Sequence, residues 1–349
     1  MIAYFFLSQI FGLTISYLNS LKPPPEIPPT VGFGKLPKLN FRSIKILGGN
    51  PQFELETTTG ELPKMAKKLN VFQIVSPKAS YLSLDRAKDL AKRLGFVTSP
   101  QTISSSIYFW EEEDRTLKMN IFTENFILES DLSKLIIPIG ELPAIPDIQK
   151  EVSEYLSSKG LWKYGYEEGE SKVVLGRIEE GKALKTDAPA NASVARLTFF
   201  RFITDKETGD KIKILSPNPE DTVIQALIYS PKKNAEILRL KYNNWELEQD
   251  NSETYPAKTL TSAYQELIDG QATLSLVRER GTSSLDYPLE VELVSLTVRN
   301  IFLAYFDDES LQRFLQPIYV FEGDARDGEG KIYDFSAYVQ AIDTSWIEP

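Results

Sequence analysis

The sequence predicts an α+β fold: antiparallel β-sheets with short packed helices, carried on a single N-terminal transmembrane helix. Three observations predict it. Residues 1–18, MIAYFFLSQIFGLTISYL, contain no charged side chain. Three short apolar stripes have helical spacing, and each is closed by a glycine. Between them, long stretches alternate apolar and polar residues with the two-residue period of strands. The 349 residues, 42% hydrophobic and 25% charged, are enough for more than one core. The expected organisation is a transmembrane anchor over 1–20, a proline-rich linker over 21–40, an N-terminal α+β domain over 41–140 and a C-terminal α+β domain over 141–349.

At the N-terminus, a helix over 1–18 just spans a bilayer core of about 30 Å. Ser8, Gln9, Thr14 and Ser16 weaken it without excluding it. A cleaved signal peptide would carry a basic leading region and an A-x-A-like site, and neither is present. A core helix is the other reading of an uncharged run. The prolines that follow, from Pro23 to Pro37, favour an extended spacer over helix or central strand. The expected localisation is therefore the cell membrane, single-pass, with the folded part on the extracytoplasmic side. Lys22 follows the run and no basic residue precedes it, so charge distribution gives that orientation little support.

Three helices are expected. The first covers Leu84 to Leu94, with Leu84, Ala87, Ala91 and Leu94 on one face, Ser83 as cap and Gly95 as stop. The second runs from about Asp147 to Ser158, with a stripe of Ile148, Val152, Tyr155 and Leu156 ended by Gly160. The third runs from Leu260 to Asp269, with Leu260, Ala263 and Leu267 facing inward and Gly270 ending it. SLDRA (83–87) and TLTSA (259–263) share a pattern, which suggests a duplicated β–helix–β unit.

Strands fill the rest. FELETTT (53–59) and LNVFQIV (69–75) precede the first helix. Residues 107–113 and 115–128 read as a hairpin turning near Asp114. TVIQALIYS and AEILRLKYN read as another, turning through PKKN, with Leu238, Leu240 and Tyr242 on one face. In 291–308, Val294, Leu296 and Val298 alternate, and then the phase slips. Ile301, Leu303 and Tyr305 alternate after it, which marks a β-bulge near Arg299–Asn300. Ile318 and Val320 take one face of the next strand, Tyr319 and Phe321 the other. After a turn, Tyr333, Phe335, Ala337 and Val339 alternate on the return. This C-terminal hairpin is apolar on both faces near its root, and so central rather than edge.

The composition excludes several chemistries. With no Cys and no His, there is no Ser-His or Cys-His nucleophile pair, no Cys/His zinc site and no disulfide. A net charge of −10 disfavours nucleic acid as a partner. The run from Ser230 to Lys233 matches an S-x-x-K motif, but Pro231 and flanking strands make it a hairpin loop. Asp324, Asp327 and Glu329 in DARDGEG are weak metal candidates whose spacing fails the calcium-loop pattern, leaving an Asp-Gly turn. Glu111–Asp114 reads as a solvated acidic tip. Asp307 and Asp308 are the first carboxylate pair to consider for a hydrolase. With Tyr305 they also form the candidate binding surface. No catalytic residue, cofactor-binding residue or cofactor is assigned.

The C-terminal part carries a resemblance. TLTSAYQELIDGQATL, IFLAYFDD and the LQPIYVFEG…YVQAI pair are similar to YycI-type regulatory ectodomains of the YycH/YycI, PepSY-like group, from about residue 190 onward. The resemblance implies a membrane-anchored, non-catalytic extracytoplasmic domain acting by protein–protein contacts. Its partner would be another membrane or envelope protein, in a sensor or cell-envelope process. The rival readings are a carboxylate-dependent hydrolase and a structural envelope or adhesion subunit.

Overall fold

Strand alternation builds two nine-stranded sheets. The first is ordered β10 (Arg201–Thr204), β11 (Lys211–Leu215), β16 (Leu293–Phe306), β17 (Phe314–Asp327), β18 (Ile332–Gln340) and β15 (Thr273–Glu279). On this sheet β1 (Gln52–Leu55) runs parallel to β16. β2 (Lys68–Ile74) links β17 to β14 (Leu247–Pro256). The second sheet is ordered β3 (Gln101–Thr102), β4 (Ile107–Glu111), β5 (Arg115–Asn120), β6 (Phe126–Ser130), β13 (Glu236–Tyr242), β12 (Ile224–Tyr229), β9 (Val194–Phe199), β7 (Ser171–Glu179) and β8 (Lys182–Lys185). The computed structural model describes residues 27–41, 51–135, 137, 142–162, 165–166, 170–205, 209–220, 222, 224–229, 236–243, 245–280, 291–308 and 310–349.

This architecture corrects the α+β expectation. The described helices, α1 (Ser83–Arg93), α2 (Ile145–Ser158) and α3 (Leu260–Ile268), each cover part of one sheet face, and the fold is mostly β. The transmembrane helix, and the membrane placement drawn from it, are also without support. Among the described residues no helix is long and apolar enough to cross a membrane, and residues 1–18 lie outside them. The PKKN turn and the S-x-x-K run from Ser230 to Lys233 lie outside them as well.

The helices form where their stripes predict. Ala87, Leu90 and Ala91 of α1 and Ile148, Val152 and Leu156 of α2 pack on Trp110, Leu117, Leu128, Leu197 and Leu240 of the second sheet. Leu260, Ala263 and Leu267 of α3 pack on Tyr319, Phe321, Phe335 and Ala337 of the first. Gly95, Gly160 and Gly270 end the three helices with positive φ. Ser83 does not cap. It is the first residue of α1, and its hydroxyl accepts the Ser80 N–H at 3.1 Å. The duplicated unit does not hold either: α1 leaves the first sheet and packs on the second, whereas α3 starts and ends on the first.

β17 and β18 are central. Ile318 and Val320 enter one core, with Ala304, Phe306 and Tyr338. Tyr319 and Phe321 enter another, with Phe335, Ala337 and Val339. The expected bulge is present: Val298 pairs with Gly323, Arg299 is extra, and Asn300 pairs with Glu322. A Cβ on Gly323 would sit 1.9 Å from the Thr297 carbonyl oxygen, so the bulge requires glycine opposite. A second bulge at Val294 escaped the alternation argument; it turns Val294 outward and sends Leu293 into the core. Leu238 is a similar case. The register shift between β12 and β13 places Ile237, Leu240 and Tyr242 in the helix-covered core and Leu238 in a cluster with Leu132 and Leu227.

Two further departures concern local turns and the linker. The strand expected over 115–128 is broken by a turn in which Asn120 Oδ1 accepts the N–H groups of Phe122 and Thr123. From Val31 onward the proline-rich segment is docked rather than free. Phe33 stacks on Phe314 at 4.7 Å between ring centroids. Leu36 is buried and bridges in parallel to Ile347. The Gln316 side-chain amide donates to the Pro37 carbonyl at 3.0 Å. Strands before and after residue 140 share sheets, as where β6 pairs with β13.

Candidate functional site

The face of the first sheet that carries Ile318 and Val320 continues outward into a trough of about 770 Å³. It draws residues from all six strands of the main order: Phe202 on β10, Lys213 on β11, Asn300 and Phe302 on β16, Glu322 on β17, Ser336 on β18 and Leu276 on β15. At the usual strand spacing it is roughly 24 Å long. The start of β7 and the loop at Pro219–Glu220 border it from the second sheet. Side chains on alternate positions share a face, so the same period that buries Ile318 and Val320 aims Glu322 into the trough.

Most rim charges are neutralised in place. Lys213 Nζ is 2.8 Å from Glu170 and lies over the Phe200 ring at 4.4 Å. Glu220 accepts from Lys172 at 2.8 Å and from Arg278 at 2.6 Å. From Arg278 an ion ladder crosses the sheet. Arg278 and Arg280 both bind Asp334, at 2.8 Å each, and Arg280 also binds Asp324. Arg299 then binds Asp324 at 2.5 Å and Glu56 at 2.8 Å. Asp324 and Asp334 stand directly opposite on β17 and β18, so these arginines offset a like-charge pair. Glu322 differs: among the described residues it has no ion-pair partner. Burial raises its pKa, partly offset by hydrogen bonds from Asn300 and Ser336 and by the charges of Lys213 and Lys172.

The sequence-predicted site residues lie elsewhere. Tyr305 is 2% exposed, packs edge-on against Phe72 and donates to the Asn70 carbonyl at 3.0 Å. It is a core residue, not a binding surface. Asp307 and Asp308 are also buried, and neither lines the trough. Asp308 accepts from the Ser310 hydroxyl at 2.6 Å, and its carbonyl oxygen accepts from the Trp245 ring N–H at 3.2 Å. Asp307 sits where the two sheets meet, in the field of Arg201, Asp308 and Tyr166. Among the described residues, its Oδ1 and the Tyr166 hydroxyl are buried without a hydrogen-bond partner. Burial, reinforced by Asp308 and opposed by Arg201 and a Trp245 hydrogen bond, pushes the Asp307 carboxyl up to about 7.

The metal candidates are structural. For Asp324, burial works against ionisation, but Arg299 and Arg280 prevail and hold it below the usual carboxylate range. Asp327 Oδ1 accepts the N–H groups of Glu329 and Lys331 at 2.9 Å each, and Tyr333 donates to its other oxygen at 2.8 Å. It closes the turn, while Glu329 points into solvent. Among the described residues no group of three or more acidic side chains is placed to hold a metal. The acidic tip is partly structural too: Glu112 accepts the N–H groups of Val97 and Thr98 at 2.7 and 3.0 Å, which lowers its pKa.

Sequence reasoning missed Glu322. Its signal was an acid in phase with Ile318 and Val320 on a central strand, two residues before the ladder residue Asp324. No family model and no curated protein matches the chain. A solved structure of an uncharacterized protein from Eubacterium rectale ATCC 33656 is similar at 12% identity, over 78% of this chain and 82% of that one. Its TM-score of 0.38 is too low to bear on fold or function.

Proposed function

We propose that the chain is a non-catalytic recognition domain that holds an extended segment of a partner protein in the trough. The observation that carries this reading is the trough itself. Its lining joins phenyl rings and aliphatic side chains to polar groups such as Asn300 and Ser336, it runs across six strands, and most of its charges are neutralised by neighbours. Such a surface offers apolar area and fixed hydrogen-bonding groups, the ingredients of peptide docking. The reading keeps the recognition role that the YycI-type resemblance implies, without a membrane helix. The test is selection of random heptapeptides on the immobilised full chain. Selected peptides should lose at least tenfold in affinity on Phe302→Ala, whose ring is half-buried in the floor. Peptides indifferent to that change would place docking elsewhere.

One observation favours the hydrolase as a second reading. Glu220 and Glu322 line the same trough, the first between two cations and the second partly buried with a raised pKa, and glycoside hydrolysis uses a pair of carboxyl groups. Hydrolysis of aryl glycosides, lost in both Glu220→Gln and Glu322→Gln, would replace the recognition reading.

A further inference from the structure

Resting on the reading of the trough as a peptide groove, we propose that the docked segment presents a lysine or arginine side chain to Glu322. Glu170 has Lys213, Glu220 has Lys172 and Arg278, and the third lining lysine, Lys211, is engaged away from Glu322. Among the described residues, Glu322 has only neutral hydrogen-bond partners: the Ser336 hydroxyl donates to its Oε1 at 3.4 Å, and the Asn300 side chain gives a second hydrogen bond. A partly buried carboxylate without a paired cation is costly, and a cation brought by a ligand relieves that cost.

The surroundings suit such a cation. Phe302 borders the trough beside Asn300, and ring faces attract ammonium and guanidinium groups. The protein already makes this arrangement once in the same trough. Lys213 Nζ lies 4.4 Å from the Phe200 ring centroid and 5.8 Å from that of Phe202, and is held there by Glu170. A ligand cation between Phe302 and Glu322 repeats that ring–ammonium–carboxylate sandwich at the centre of the floor. Lys172 and Lys213 oppose it weakly, because each is neutralised by its own acid. At longer range, the chain's net charge of −10 draws a basic segment and disfavours an acidic one. Protonation of Glu322 removes the attraction, and burial already holds its carboxyl above the ordinary range. Binding therefore weakens in mild acid.

The heptapeptides selected on the full chain provide the test. The expected peptides carry a basic residue flanked by apolar ones. Their affinity should fall at least tenfold on Glu322→Gln, which keeps the shape and the Ser336 contact. It should also fall for the wild type, but not for the Gln variant, as the pH is lowered from neutrality until Glu322 is protonated. Norleucine in place of the basic peptide residue should give the same loss on the unaltered protein, which covers a variant that folds poorly. Peptides that lose affinity on Phe302→Ala but not on Glu322→Gln or norleucine replacement would overturn the cation assignment and leave the groove standing. Peptides indifferent to all three changes, or a selection that yields none, would overturn both.

Discussion

Replacing Asp307 by Asn should make the protein more stable at high pH and leave it nearly unchanged at low pH. The folded carboxyl has a pKa of about 7, against an ordinary value of 3.8. The shift is upward, so the folded state binds the proton more tightly than the unfolded state. Wild-type stability from this group is complete below the unfolded value and is lost as pH rises through the folded one. Three units at 1.36 kcal/mol each give about 4 kcal/mol. Arg201 and Asp308 are already included in that shift, so the figure is net of their charges. Asn cannot ionise and is nearly the same shape. The variant should therefore gain on the wild type by roughly 1.4 kcal/mol per pH unit up to pH 7, then hold level. Urea denaturation of both proteins at pH 5.5, 7 and 8.5 measures the difference. From pH 5.5 to 8.5 it should grow by about 2 kcal/mol. A difference that stays constant, or a variant less stable than the wild type at pH 8.5, would refute the reasoning. The first result would mean that Asp307 is not desolvated, and the second that its ionised form is paired in the fold.

Three other outcomes follow from the packing. Gly323→Ala forces a Cβ against the Thr297 carbonyl at the bulge, and should cost several kcal/mol in chemical denaturation; an unchanged midpoint would mean that the bulge yields easily. Val320→Asp places an unpaired charge in a fully buried site and should lower the melting temperature sharply; a shift below about 2 °C would show the strand is accessible. Truncation before Val31 should leave near-ultraviolet circular dichroism intact. Truncation through Phe41 strips partners from Phe314, Gln316 and Phe306 and should lower the melting temperature; equal melting of the two truncated chains would show that the docked segment adds nothing.

What was legible in the sequence was local. The bulge at Arg299 showed as a slip in alternation, and the helices showed as stripes with glycine stops, because both signals lie within a dozen residues. Leu238 misled for the same reason: an extra residue in a strand leaves the sequence pattern intact but reverses the face. The mostly-β architecture was not legible, because it depends on pairings between distant segments. β1 lies beside β16, and Phe126–Ser130 beside Glu236–Tyr242. The site failed on burial. Asp307 and Asp308 attracted notice as adjacent acids at a strand end, yet both are covered where the sheets meet. Glu322 sits in an apolar run that looked like core, and only the sheet order shows that its face opens into a trough.

The chain route of the two sheets also sets an order of assembly. The second sheet is drawn from residues 101 to 242, a stretch interrupted by β10 and β11, which join the first sheet. The first takes β1 and β2 from the front of the chain, and most of the rest from Leu247 to Gln340. During synthesis the second sheet can close while the partners of β1 and β2 are still inside the ribosome. β1, β2 and the segment from Val31 must wait for strands made some 200 residues later. Such long-range closure is slow and leaves strand edges open to other chains in the interval. Leu36, Phe33, Phe72 and Ile74 are apolar side chains that wait long for their partners, and a nascent-chain chaperone would find its targets there.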